Sequence, residues 1–253
     1  MSEFHQNFSW ENTQEKYPIN TSKKSLPIFY DFYDLSKDFL NVYEPSEDTF
    51  LLIDSLELEI ENLLSNNYFK FLEKITSIEL GCGNGLVSCC FLSKIKSLNL
   101  NKKIHHYCVD INKEALDLTK RLLTNYNFDK DTTFIESNLF DNIDKKEIFD
   151  IIIFNPPYVT TDKEEYERAL KEKNIFAAWA GGNKGSETIN KFVQELKGRI
   201  SNKTIIFLLL SKENDYNLII DNIITKYNLN FELLMRKRFK NEKLAVFKFY
   251  KNL

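Results

Sequence analysis

Histidine is scarce in this chain of 253 residues: there are three, His5, His105 and His106. The last two fall inside one predicted strand, so a histidine triad or a histidine metal cluster has little to draw on. Cysteine is nearly as rare. Cys82, Cys89, Cys90 and Cys108 form no C-x-x-C pair, and two of them are neighbours inside a predicted helix. Neither a disulfide framework nor a zinc site is suggested, and the four read as small buried hydrophobes in a reducing compartment. No apolar run approaches the roughly 18 residues needed to cross a bilayer. The opening MSEFHQNFSWENTQEKYPIN lacks the apolar core of a signal peptide, which points to a cytoplasmic, or also nuclear, protein. An excess of positive charge is missing too. Lys and Arg number 34 against 37 Asp and Glu, a formal −3, which provides no global field for gripping nucleic-acid phosphates.

What is present suits one sizeable core: 43% hydrophobic and 28% charged residues are ordinary for a globular protein. Residues 1–38 show no sustained periodicity and are expected to form a mobile or loosely docked extension, with the domain spanning 39–253. Phe50, Ile53, Leu56, Ile60, Leu63 and Leu64 mark one face of a helix that Thr49 precedes. ITSIEL (75–80) reads as a strand running into GCGNG, followed by a helix from Leu86. IHHYCVD (104–110) is a second strand, and the helix after it has Asn112 as its N-cap. TTFIESN (132–138), DIIIFN (150–155) and TIIFLLL (204–210) are three more strands. A polar segment, 159–174, follows the fourth, and helices built on Ile189, Phe192, Val193 and Leu196, and on Tyr216, Ile219, Ile220 and Ile223, flank the fifth. NFELLMRKRF and LAVFKFY close the chain as an antiparallel hairpin. The alternation implies an α/β fold with a mostly parallel seven-stranded sheet and helices on both faces.

Ligands of such sheets sit beyond the carboxyl ends of the strands, where Glu79, Asp110, Asn138 and Asn155 all fall. Gly81, Gly83 and Gly85 lie in the first strand-to-helix turn, spaced G-x-G-x-G rather than the dinucleotide G-x-G-x-x-G. Glu79, two residues ahead of them, would repel a pyrophosphate and suits a cationic ligand. Asp110 can accept both hydroxyls of a ribose, or it can cap the next helix in competition with Asn112.

FDIIIFNPPYVTT (149–161) raises a separate question. Pro-Pro stops a strand simply because neither ring donates to a ladder. Yet Asn155 precedes a proline and is biased to extended backbone, which restricts its side chain. Its amide oxygen and the Pro156 carbonyl make two rigid acceptors suited to a planar –NH₂ group, with Tyr158 as a flat wall. Such acceptors stabilise positive charge developing on an amide or exocyclic nitrogen as it attacks an electrophilic methyl, with no strong base required.

The glycine turn with Glu79 and Asp110 resembles the class I S-adenosylmethionine-dependent methyltransferases, with their Rossmann-like sheet. NPPY is shared by amide and exocyclic-amine N-methyltransferases, whereas VYEPSEDTFLL (42–52) and AAWAGGNKG (177–185) look like the eukaryotic and archaeal HemK-type release-factor glutamine methyltransferases. The resemblance runs from about Val42 to Phe249. It implies that Thr49, Glu79, Gly81, Gly83, Asp110, Asn138, Leu139 and Asn155 line the cofactor, S-adenosylmethionine. Asn138 stands where the family usually has an acid. It further implies Asn155, Pro156 and Tyr158 at the catalytic centre, with Asn155, Pro157 and Tyr158 shaping the target pocket. The implied target is the glutamine of the Gly-Gly-Gln loop in a class 1 release factor. The implied partner is a small zinc-binding activator, paired along the sheet edge at 132–138, so that any zinc belongs to the partner and this chain holds no metal. Rival readings are an adenine-N6 nucleic-acid methyltransferase, a protein-lysine (histone) methyltransferase, and a non-catalytic scaffold. Nothing supplies a lysine-deprotonating base, and the one basic cluster, MRKRFK (235–240), reads as a solvated turn.

Overall fold

The computed structural model describes residues 10, 13–18, 28–239 and 242–251. Seven strands make one sheet: β1 (Lys74–Leu80), β2 (Lys103–Asp110), β3 (Thr132–Glu136), β4 (Ile151–Phe154), β5 (Ile205–Ser211), β6 (Asn230–Phe239) and β7 (Glu242–Tyr250). Their order is β3-β2-β1-β4-β5-β7-β6. The first five strands are parallel, and β7 runs antiparallel to both of its neighbours, β5 and β6. The expected hairpin is therefore inserted with its second strand inward.

Strand residues are apolar on both faces because both faces are covered. Ile205, Phe207 and Leu209 of β5 pack with residues of α1 (Glu47–Ser65), α2 (Leu86–Ser97) and α3 (Lys113–Asn125). Ile206, Leu208 and Leu210, one step out of phase, pack with α5 (Glu187–Glu195) and α6 (Tyr216–Tyr227). All four cysteines are buried and free, and no helix among the described residues is long and apolar enough to cross a membrane.

Two elements differ from expectation. α1 starts at Glu47, with Ser46 as N-cap and Thr49 inside the first turn, where its Oγ1 accepts from the Ser46 N–H at 3.3 Å. The acids Glu47 and Asp48 suit the positive end of the helix, and the apolar periodicity alone could not register them. The polar segment 159–174, for which the sequence predicts no element, contains α4 (Lys163–Glu172), capped by Asp162, whose side chain accepts from the Glu165 N–H at 2.8 Å. Only Ala169 of α4 is buried, so it has almost no apolar stripe to announce it. By contrast, α3 begins as expected, with Asn112 Oδ1 accepting from the Glu114 N–H at 2.9 Å.

The two sheet edges are treated differently. Lys16 and Tyr17 donate their backbone N–H groups to the Leu233 and Leu234 carbonyls of β6 at 2.9 and 2.8 Å. Beneath them lies a buried ion cluster. Lys248 of β7, 1% exposed, reaches Glu59 of α1 at 2.7 Å and Glu232 of β6 at 2.8 Å. Lys16 joins Glu59 at 3.0 Å, and the Tyr17 hydroxyl donates to it at 2.8 Å. β3 at the other edge is only half-buried.

Removing one member of a buried pair leaves its partner uncompensated, at a cost of roughly 3–5 kcal/mol. Lys248→Met should fall near about 3 kcal/mol in urea unfolding, since Lys16 and Tyr17 still serve Glu59. Lys16→Met, at a part-exposed site, should cost no more than about 1 kcal/mol. Equal costs would show that the cluster is not buried in solution.

Candidate active site

The carboxyl ends of β1, β2 and β4 lie side by side in the sheet order, and the loops leaving them surround one cavity. Glu79, Gly81, Gly83, Asp110, Asn138, Leu139, Asn155, Pro156, Pro157 and, from α1, Thr49 all line it. Tyr158, expected as a wall, is not among the lining residues. Its ring packs against the core, and its hydroxyl is directed to Glu242 of β7, 3.5 Å away. Burial and the nearby Asp48 and Glu242 carboxylates hold that phenol well above its usual range.

The first turn is built to receive a ligand on its backbone. Gly81, Gly83 and Gly85 all have positive φ (63°, 53° and 85°), a conformation glycine adopts without penalty. At Gly85 an added Cβ would also fall 2.8 Å from Thr119 Oγ1 on α3. Asp110 is locked to this turn. Its Oδ2 accepts from the Gly83 N–H at 2.8 Å and its Oδ1 from the Asn112 N–H at 2.8 Å. Each oxygen keeps a further lone pair, so a vicinal diol can be held across both. Burial pushes this carboxyl up to about 6, against the backbone hydrogen bonds from Asn112, Gly83 and Ile111. Asp110 is thus not the helix cap; Asn112 is. Glu79 is buried beside the turn, with Ser88 of α2 donating to its Oε2. Burial, with Cys108 adding to it, pushes the Glu79 carboxyl well above the usual carboxylate range.

Asn155 sits just beyond β4. Its Nδ2 donates to Asp48 Oδ2 at 3.0 Å. Its Oδ1 is, among the described residues, the buried side-chain atom without a hydrogen-bond partner. An ionised carboxylate only accepts, so the Asp48 contact sets which way round the amide lies. An unpaired buried acceptor costs about 1–3 kcal/mol, a cost that a donor entering the cavity would relieve. Asp48, 6% exposed and lining the same cavity, is a candidate site residue that sequence reasoning missed. It reads as an ordinary first-turn acid, and nothing local signals a partner 107 residues away.

The chain leaving NPPY is clamped by AAWAGGNKG. Val159 donates to the Trp179 carbonyl at 3.0 Å, Gly181 donates back to the Val159 carbonyl at 2.8 Å, and Thr161 donates to Gly182 at 3.1 Å. Asn214, fully buried after β5, donates to the carbonyls of Tyr158 (2.8 Å), Lys184 (3.1 Å) and Gly185 (3.1 Å). Its own oxygen accepts from the Ser211 N–H at 3.0 Å. Asn214 carries no sequence signal; it is one polar residue after a strand. Trp179 is half-buried and meets the Phe176 ring edge-on at 5.8 Å.

Comparison with known proteins places these features in context. Residues 60–178 match the methyltransferase small domain family. The chain is 30% identical over 220 residues to the eRF1 methyltransferase catalytic subunit mtq2 of Schizosaccharomyces pombe, covering 85% of this chain and 91% of that protein. It is 32% identical over 216 residues to the human methyltransferase HEMK2, covering 85% and 92%. Among solved structures, the E. cuniculi Mtq2–Trm112 complex, described as responsible for methylating the translation termination factor eRF1, has the same fold. Its TM-score is 0.55 at 22% identity, over 83% of this chain and 99% of that one.

Gly185 has φ +64°, and a Cβ there would lie 1.9 Å from the Tyr158 carbonyl oxygen, a backbone atom that no rotamer change can move. Gly185→Ala should therefore cost about 3 kcal/mol or more in thermal unfolding. Gly198→Ala, with φ +81° but nothing within 4 Å, should cost only about 1–2 kcal/mol. A Gly185 variant as stable as the Gly198 variant would contradict the clamp.

Proposed function

The chain belongs to the HemK-type release-factor glutamine methyltransferases, and from that premise we propose that it is the catalytic subunit of an enzyme that methylates N5 of the glutamine in the Gly-Gly-Gln loop of a class 1 translation termination factor. S-adenosylmethionine is the methyl donor. The observation that carries this reading is the unpaired, buried Asn155 oxygen, whose amide nitrogen is held by Asp48.

The residues of the cavity fit that cofactor. Asp110, held by Gly83 and Asn112, offers two oxygens to a ribose diol. Glu79 suits an α-ammonium group, Asn138 takes the position that contacts the adenine amine in the family, and Leu139 and Thr49 complete the lining. When bound, the cofactor supplies an electrophilic methyl on a sulfonium. The protein's own task is then to orient a poor nucleophile. Asn155 Oδ1 and the Pro156 carbonyl accept the two hydrogens of the target –NH₂. They draw its lone pair out of amide conjugation and stabilise the positive charge that develops on nitrogen. Asp48 keeps the Asn155 oxygen turned to the substrate and places negative charge behind it. Pro157 narrows the entrance, and Tyr158 supports the corner from outside the cavity lining.

The family implies a small zinc-binding activator as partner. β6 is covered by Lys16 and Tyr17, whereas β3, the other edge, has no neighbour on its outer side among the described residues, and the activator adds a strand there. The likeness to a chain solved as an Mtq2–Trm112 complex supports this heterodimer. Action on a termination factor puts the enzyme in the cytoplasm. The adenine-N6 reading is disfavoured by the basic cluster of β6. There, two of its cations are already engaged: Arg236 donates to the Trp10 carbonyl, and Lys237 pairs with Glu47 at 3.4 Å, which takes them from a phosphate backbone.

With the activator co-produced, labelled methyl should pass to the release factor, but not to its Gln→Ala loop variant nor to adenine-containing DNA; labelling of the Gln→Ala variant would overturn the assignment. Asn155→Ala and Asp48→Ala should each lower single-turnover transfer by about 10²–10³-fold. Cofactor affinity, read by calorimetry, should stay within about tenfold.

A further inference from the structure

Behind the cavity runs a chain of hydrogen bonds that the reaction does not use. Ser77 and Glu79 of β1, His106 of β2 and Ser88 of α2 are all at most 2% exposed. Ser77 Oγ lies 2.8 Å from His106 Nδ1, and His106 Nε2 lies 2.8 Å from Ser88 Oγ. Ser88 Oγ meets Glu79 Oε2, and the Cys108 thiol donates to Ser88 at 3.3 Å. Three of the four residues are sealed in the interior. Only Glu79 reaches the cavity.

Counting protons gives this chain one forced polarity when Glu79 is ionised, and a reversed one that opens only when Glu79 is protonated. A hydroxyl has one proton, and neutral imidazole has one donor and one acceptor. If Glu79 is ionised, Ser88 must donate to it. His106 must then donate to Ser88 through Nε2–H and accept from Ser77 at Nδ1. If Glu79 carries a proton, every bond can reverse: Glu79 donates to Ser88, Ser88 donates to Nε2, and His106 donates to Ser77 through Nδ1–H. We propose that this relay ties the charge of Glu79 to the tautomer of His106, so that an ammonium group entering the cavity draws Glu79 into its ionised form and His106 into its Nε2–H form. His106 and Ser88 are thus positioning residues for recognition of the cofactor's amino-acid end, an inference that rests on the cofactor reading above.

The step balances as one proton released to solvent. The Glu79 O–H bond breaks and its proton leaves through the cavity that Glu79 lines. Ser88 turns its hydroxyl from Nε2 to the carboxylate, and Ser77 turns its own to Nδ1. The single imidazole proton is held at Nε2 in place of Nδ1, so that His106 stays neutral. No electrons change hands. Burial favours the protonated carboxyl before the ligand arrives, and a cation beside it favours the charged form. Other ionisable groups also face Glu79: Cys108 and Asp110 from β2, Cys82 from the turn, Cys90 from α2, and Tyr33. From β4 the register partner is the apolar Ile153. Asp110 would meet the ribose of any adenosine ligand, so comparing two such ligands cancels its share.

The test uses the full chain co-produced with its activator and two ligands. S-adenosylhomocysteine has the ammonium group; 5′-methylthioadenosine does not. The chain has only three histidines, so ¹⁵N-histidine spectra are readily assigned with a His106→Gln variant. With S-adenosylhomocysteine His106 should show the Nε2–H tautomer, and with 5′-methylthioadenosine the Nδ1–H tautomer. The ratio of the two affinities should rise with pH as Glu79 ionises. Ser88→Ala should weaken S-adenosylhomocysteine by about tenfold at neutral pH, leave 5′-methylthioadenosine within about twofold, and move the midpoint of that ratio to higher pH. One tautomer in every state, or equal weakening of both ligands with an unmoved midpoint, would overturn the relay and leave a merely structural network. Failure of the unaltered protein to bind S-adenosylhomocysteine at all would instead overturn the cofactor reading, and the relay with it.

Discussion

The carboxylate of Asp48 can only accept hydrogen bonds, so the side-chain amide of Asn155 must offer it nitrogen and turn its oxygen elsewhere. That single constraint leaves a buried acceptor unsatisfied at the end of β4. The cost is sustained by everything that holds the two residues together: the first turn of α1, the core between α1 and the sheet, and the ion cluster joining Glu59 of α1 to Lys248 and Glu232. Were α1 free to shift, Asn155 could rotate and satisfy itself locally. The proposed methyl acceptor would then have to compete with an internal partner.

The same principle recurs around the cavity. Polar groups at the strand ends are each held by a neighbouring backbone or side-chain group, which leaves their remaining valences free for a ligand. Asp110 is held by two backbone N–H groups. The exit from NPPY is held by Asn214 and by the close approach of Gly185 to the Tyr158 carbonyl. Glu79 is held by Ser88 and, through it, by His106. Preorganisation of this kind suits a reaction whose nucleophile is an amide nitrogen. Such a nitrogen gains more from fixed acceptors than from a base, because its lone pair is held by conjugation with the carbonyl rather than by a readily removed proton.

Much of the site could be read from residue order because its parts lie at strand ends and strands announce themselves. Apolar runs stop at Glu79–Leu80, at Asp110 and at Phe154, and in a parallel sheet those stops must lie on one edge of the layer. The glycine turn, with the acids flanking it, needs no long-range information either. α4 escaped notice because a helix packed by little more than Ala169 has no stripe to count, and the early start of α1 rests on capping rather than periodicity. Asp48 and Asn214 were invisible for a different reason: their partners lie 107 and 56 residues away.

Sequence by itself determined the class of fold, the strand ends that border the candidate site, and, through VYEPSEDTFLL and AAWAGGNKG, the family. These are local properties: a period of two, a glycine that must take positive φ, two prolines that cannot extend a ladder. Tertiary structure decided which of those residues share a cavity, which way the Asn155 amide lies, why Tyr158 turns to β7, and which sheet edge Lys16 and Tyr17 cover. Each of those depends on a hydrogen bond or a packing contact between residues far apart in the chain, and no local pattern specifies its partner.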